Sequence, residues 1–241
     1  MATENDLFNA IQSNDIREVK RLVEDDDGLT YTHDYDYSTP LMHATECAHL
    51  DMVRQLLDSD FCDIDEGDDQ TWISPLIVAS EKGYTEISRL LMEHGADVNR
   101  QYEKEDDDGT CEEQGYPLTV AVENEHMEIV RLLLEHGADP ESIMWTYDGA
   151  WNTERTPLML ALQLNNFELA EILLELGADV DGECSIRSEL HTPISYSVAK
   201  KKEDWASFLL KNGANIYREI DEGQTVLEYA KEIGCLKMLT T

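Results

Sequence analysis

Five prolines set the frame of this chain. They stand at 40, 75, 117, 157 and 193, four of them behind Thr or Ser and all of them before Leu or Ile. The steps between them are 35, 42, 40 and 36 residues, and Val226 fills the same slot 33 residues after the last. From Pro to a closing Gly the distance is 20 in four units: 75 to 95, 117 to 137, 157 to 177 and 193 to 213. A segment of fixed length therefore recurs, and most of the variation in period falls between each Gly and the next Pro.

Tyr116–Pro140, YPLTVAVENEHMEIVRLLLEHGADP, shows what that segment is. Pro117 suits the first position of a helix, where a missing N–H costs nothing. Leu118, Val120, Ala121 and Val122 follow, then a polar break at Glu123–His126. A second helix places Ile129, Val130, Leu132, Leu133 and Leu134 on its apolar side, and Gly137 ends it in the left-handed conformation. Neither helix can bury its stripe alone, so neighbouring copies must supply the covering surface.

The copies account for the whole chain as one expected domain, 1–241. Residues 5–28 form a polar-faced N-terminal cap, with Leu7, Ala10, Ile11, Val19, Leu22 and Val23 turned inward. Internal units follow at 39–65, 74–99, 116–140, 156–181 and 192–217, and 225–241 closes the array. The starts Thr39-Pro40-Leu41, Thr156-Pro157-Leu158 and Thr192-Pro193-Ile194, a central Ala such as Ala44, and a closing G-A-D resemble the ankyrin repeat. The resemblance implies an all-α solenoid of stacked helix-turn-helix units with β-hairpin finger loops. It further implies that the fingers and first helices line a concave binding face. The sequence departs from the pattern in three ways. The His that usually follows T-P-L is replaced by Met42, Ile77, Thr119, Met159, Ser195 and Glu228, which predicts a lost hydrogen bond at the helix start. Tyr116 replaces the capping Thr or Ser, at a cost of about 1 kcal/mol. Asp60 takes the Gly slot of the second unit, a local distortion.

Composition narrows the partners. Eighteen Lys and Arg against 52 Asp and Glu give a net charge of −34, which repels nucleic acid and anionic lipid and favours basic surfaces. The acidity equally serves solubility or a salty interior. Only four Phe are present, so small aliphatic side chains must fill the core. The five cysteines are scattered without a C-x-x-C, which argues against zinc and a disulfide framework and suits a reducing compartment. The N-terminal residues carry no basic and apolar leader, and no apolar run reaches membrane-spanning length. A cytoplasmic protein is expected, with the nucleus and a secreted-effector role left open.

The segments between units carry unusual side chains. The finger 63–73 holds Asp63, Asp65, Glu66, Asp68 and Asp69, then Trp72. The finger 100–115 holds Glu103, Glu105, Asp106, Asp107, Asp108, Glu112 and Glu113, a density of like charge that predicts a mobile loop. These acids either dock a basic segment or stand as solvated loops. The finger 141–155 gathers Trp145, Tyr147 and Trp151 beside Ile143 and Met144, and ends at Arg155. Trp and Tyr anchor interfaces because they bury large area at low entropy cost; alternatively the rings fold over their neighbours. First-helix residues expected on the concave face are Glu46, Glu81, Lys82, Glu123, Asn124, Gln163, Leu164, Ala199 and Lys200. Lys200-Lys201-Lys202 marks either a basic end to that face or a solvated turn.

Catalytic patterns are missing. Setting Gly109 at position 6 of a calcium loop puts Lys104 at position 1 and Gly115 at position 12, so the EF-hand match fails. A loop-ordering cation at Asp106–Asp108 stays open, but no metal or cofactor is expected. His94 and His136 recur before Gly, at a helix end where an imidazolium suits the dipole. No metalloprotease, hydrolase-elbow or phosphate-loop pattern occurs, so no enzyme is expected. By resemblance, Asn99 matches a place where eukaryotic ankyrin repeats are hydroxylated. The expected function is a monomeric protein-binding module with a basic partner, without direct nucleic-acid or membrane binding. Two alternatives are an acidic chaperone that masks a nucleic-acid-binding surface and an effector of an intracellular bacterium or virus that binds a host protein.

Overall fold

The Thr-Pro starts do in space what their chemistry requires. In the computed structural model, which describes residues 3–25, 39–58, 62–67, 71–105, 110–147, 149–187, 189–220 and 223–240, a helix begins at each of the five prolines. The described residues fall into two units, Met1–Ala138 and Asp139–Thr241.

The first unit contains four helix pairs. They are α1 (Glu4–Gln12) with α2 (Ile16–Asp25), α3 (Pro40–Glu46) with α4 (Leu50–Leu57), α5 (Pro75–Lys82) with α6 (Thr85–Glu93), and α7 (Pro117–Glu123) with α8 (Met127–Glu135). One antiparallel hairpin, β1 (Tyr102–Glu105) with β2 (Cys111–Gly115), precedes α7. Within each pair the turn passes through a left-handed residue: Asn14, Ala48, Gly83 and Glu125, at φ between 56° and 76°. Three of those four are not Gly, so the turn leaves little trace in the sequence.

The second unit opens with hairpin β3 (Met144–Tyr147) and β4 (Asn152–Arg155), followed by α9 (Pro157–Leu164) and α10 (Phe167–Glu175). Hairpin β5 (Cys184–Ile186) and β6 (Glu189–His191) leads to α11 (Pro193–Ala199) and α12 (Glu203–Lys211), and β5 pairs with β4 through Ile186 and Thr153. A short helix α13 (Val226–Glu232) and one 3-10 turn, Leu236–Leu239, end it.

The core is aliphatic, as the scarcity of Phe predicts. Leu41, Met52, Leu76, Leu91, Leu118 and Ile129 are fully buried in the first unit, and Leu158, Leu173, Ile194 and Leu209 in the second. Each such side chain contributes about 1.5–3 kcal/mol when removed from water. Val23 of the expected cap is only half-buried, while Phe8 takes a core place beside Leu7 and Ile11. The largest buried ring in the second unit is Trp205, stacked on Phe167 at 4.2 Å, with its indole N–H donating to Asn165 Oδ1 at 2.8 Å.

One expectation at the helix starts needs correction, and one holds. The slot after T-P-L loses its His, yet the hydrogen bond survives wherever the replacement is polar. Thr119 Oγ1 accepts from the Tyr116 N–H at 2.9 Å, Ser195 Oγ from Thr192 at 2.9 Å, and Glu228 Oε2 from Thr225 at 3.0 Å. Met42, Ile77 and Met159 are buried instead. Tyr116 thus loses the side-chain cap but keeps the reciprocal half of the motif. Gly28 and Asp60 lie outside the described residues.

Candidate protein-binding surface

The acidic finger is a ribbon where it is described, because strand alternation sorts its charges. Tyr102 pairs with Gly115 and Lys104 with Glu113, so these four share one face; Glu103 pairs with Gln114 on the other. The like charges predicted mobility, but cross-strand bonds hold the strands. Gln114 Nε2 donates to Glu103 Oε1 at 2.8 Å, and Lys104 Nζ to Glu113 Oε1 at 3.0 Å. Glu105 and Glu112 remain exposed. Asp106, Asp107 and Asp108 lie outside the described residues, as do Asp68 and Asp69 of the preceding finger.

Tyr102 anchors this ribbon to the core. Its ring is 1% exposed, and its hydroxyl donates to Glu113 Oε1 at 2.5 Å. Burial, that hydrogen bond and the nearby carboxylates of Glu113, Glu123 and Glu81 hold its pKa far above the usual phenol range. A Cβ at Gly115 would stand 2.9 Å from Tyr102 Cε1 and 3.0 Å from Thr119 Oγ1, so only Gly lets the ring lie across the ladder. The spacing of acids gave no hint that one Tyr among them would be core.

Trp72 stands on a built platform. It is 57% exposed and sits at φ 58°, a costly conformation for a bulky residue. Two contacts hold it there. Gly67 approaches so closely that a Cβ would meet the Trp72 carbonyl carbon at 2.7 Å, and the Thr71 carbonyl accepts the Glu103 N–H at 2.9 Å. A cleft of about 430 Å³ is lined by Trp72, Asn99, Arg100, Gln101 and Glu103, on the side of β1 away from Tyr102.

Some acids serve the frame. Both oxygens of Asp65 take the Asp97 N–H, at 3.0 and 3.1 Å, and Asp181 takes the Asn215 N–H at the same two distances. Glu141 accepts from Asp179 at 2.8 Å. Burial raises the Asp65 and Glu141 carboxyls above their ordinary range, and these N–H donors partly offset it. Glu66 is half-buried in the same loop as Asp65. Asn99 donates its carboxamide to the Gly137 carbonyl at 3.1 Å, so the residue matching a modification position ties one loop to the next.

The aromatic finger divides its rings. Trp145 and Tyr147 lie on one face of β3, stacked with centroids 6.5 Å apart and half-buried, while Trp151 is 49% exposed at the turn. Arg155 is half-buried across from Met144 and donates to Thr146 Oγ1 at 3.0 Å. Ile143 is exposed at the strand entry.

The first-helix ends agree with expectation in part. Glu46, Glu81, Lys82, Glu123, Asn124, Leu164 and Lys200 are exposed, and Gln163 and Ala199 half-buried. Lys202 fits neither reading of the Lys run: its Nζ donates to the Leu162 carbonyl at 2.7 Å, and burial pushes its pKa down. His94 Nδ1 and His136 Nδ1 lie 2.9 and 2.8 Å from the Leu90 and Leu132 carbonyls, at helix ends as the repeat predicts. Cys184 is buried and its thiol pushed up to about 12, which leaves it unreactive. Among the described residues no helix is long and apolar enough to cross a membrane.

Known proteins match this chain in sequence and in fold. A family model for ankyrin repeats, three copies, covers residues 7–102 and again 103–184. A "26S proteasome non-ATPase regulatory subunit 10" from Dictyostelium discoideum is 33% identical over 94 residues, 39% of this chain and 40% of the relative. The match thus spans less than half of that relative's length. The ankyrin repeat domain of Bcl-3, described as a member of the IkappaB family, superposes with a TM-score of 0.79 at 21% identity over 98% of both chains. The human ASB11 ankyrin repeat domain follows at 0.64 and 20%, over 97% of this chain and 96% of that one.

Proposed function

The chain belongs to the ankyrin repeat family, and on that premise we propose that it is a non-catalytic, monomeric protein-binding module whose fingers and first-helix ends recognise a basic partner. We read residues 1–241 as one capped array, working in the cytoplasm. Ankyrin repeats are in general interaction modules, and the Dictyostelium relative is named as a subunit of a larger assembly.

One observation carries the proposal: exposed acids and exposed Trp rings both lie on the segments that lead into the Pro-started helices. Glu105 and Glu112 supply charge at the described base of a finger whose tip adds Asp106, Asp107 and Asp108 in sequence. Trp72 and Trp151 supply apolar area on loops held by hydrogen bonds, which lowers the entropy cost of using them. Asp68 and Asp69 precede Trp72 in sequence and add two more acids to that segment. Asp65, Glu103 and Glu113 shape the loops, and Trp145, Tyr147 and Arg155 belong to the hairpin that carries Trp151. An interface of about 1,200–2,000 Å² is expected.

The experiment is affinity capture from the native cell, followed by binding measurements on the recovered partner at low and high salt. Weaker binding at high salt supports acidic steering. Binding indifferent to salt contradicts it.

A further inference from the structure

A groove of about 260 Å³ opens on the Tyr102 face of the acidic ribbon. Its floor is apolar: Ile77, Tyr102 and Val120 are 3%, 1% and 5% exposed and pack as one cluster, with Ile73 against it. Its rim is anionic, and the carboxylates come from three elements: Glu81 on α5, Glu113 on β2 and Glu123 on α7. Lys104 is the lone cation in the lining. Three carboxylates against one ammonium leave the groove with a net negative charge.

We infer that this groove receives one lysine or arginine side chain of the partner, its methylenes on the Ile77–Val120 floor and its charge among Glu81, Glu113 and Glu123. The inference rests on the reading above that the partner is basic, and names where one of its charges is held.

Lys104 shows the fit. Its Nζ is 3.0 Å from Glu113 Oε1 and 5.2 Å from the centre of the Tyr102 ring, so one ammonium already lies in the groove with a carboxylate and an aromatic face as partners. Burial first and the Glu113 hydrogen bond second raise the Tyr102 pKa, and the charges of Glu113, Glu123 and Glu81 add to the rise. A side chain with a long apolar stem and a cationic head matches floor and rim together. An aliphatic side chain would desolvate the carboxylates without adding a counter-charge, and an acidic one would be repelled. The Glu81 carboxylate is 3.5 Å from Lys82 Nζ in a solvent-exposed pair, a weak contact that an incoming cation can replace.

The test uses the full chain, labelled with 15N and titrated with three capped pentapeptides that carry lysine, arginine or norleucine between glycines. Lysine and arginine peptides should shift the Ile77, Tyr102 and Val120 amides saturably, and the norleucine peptide should not. The double variant Glu81→Gln, Glu123→Gln exchanges exposed carboxylates for isosteric amides and should weaken binding about tenfold with its amide spectrum otherwise unchanged. Equal binding of norleucine, unsaturable shifts spread over every acidic loop, or a double variant that binds like the wild type would each overturn the assignment. If the captured partner keeps its salt-dependent affinity while these shifts fail to appear, the groove assignment falls alone. If salt dependence is absent from the wild type, the wider reading falls.

Discussion

The hairpins 102–115 and 144–155 hold the same place in their repeats, each leading into a Pro-started helix, yet they are built in opposite ways. The first buries its ring and exposes its acids: Tyr102 lies under the ribbon while Glu105 and Glu112 face water. The second exposes one ring, Trp151, and half-buries two, with Trp145 and Tyr147 stacked on each other. A repeat frame therefore fixes where a finger starts and ends but leaves open which side chains hold it together. In the first hairpin a buried ring accompanies outward-facing charge, and in the second a stacked pair of rings accompanies an exposed indole.

The comparison breaks first at Tyr102. Tyr102→Ala removes a fully buried ring and should cost about 3–5 kcal/mol in urea unfolding. Tyr102→Phe keeps the ring and loses the bond to Glu113, a hydrogen bond to a charged group, for about 1.5–3 kcal/mol. Should the two variants unfold alike, the hydroxyl rather than the ring pins the ribbon. Trp151→Ala should change stability by about 1 kcal/mol or less, while partner dissociation, followed by surface binding kinetics, speeds up at least about tenfold. A large loss of stability there would mean that the ring belongs to the core and that the contrast between the hairpins is false. The smallest effect concerns pH. Burial lowers the pKa of His191 below the ordinary imidazole value, against the opposing pull of Glu189. The unfolded chain takes up a proton near pH ~6.5 while the folded one still resists it, so the contribution is complete above that pH and is lost as pH falls from there through the lower folded-state pKa. His191→Gln should flatten that part of the stability profile, measured by thermal unfolding between pH 5 and 8.

Much of this was legible in the chain. The constant interval from Pro to Gly specified the helix pairs, and Trp151 was visible because rings are rare here. Four features were hidden for physical reasons. Tyr102 sits in Tyr-Glu-Lys-Glu, where charge masks the one inward position. Asp65, Asp181 and Glu141 bond to backbone N–H groups 32, 34 and 38 residues away, beyond any local pattern. Lys202 reaches a carbonyl 40 residues back, so a basic run read as surface contains a structural tie. Trp72 needs a left-handed backbone braced by Gly67, and nothing in the string Thr-Trp-Ile announces it.

The central claim is that the fingers recognise a basic partner through exposed acids. The direct measurement is the affinity of the captured partner across a salt series, for the wild type and for Glu105→Gln, Glu112→Gln. Log Kd should rise with log salt concentration in the wild type, with a shallower slope in the variant and an unchanged unfolding midpoint. Identical slopes for the two proteins, or a flat line for the wild type, would contradict the account.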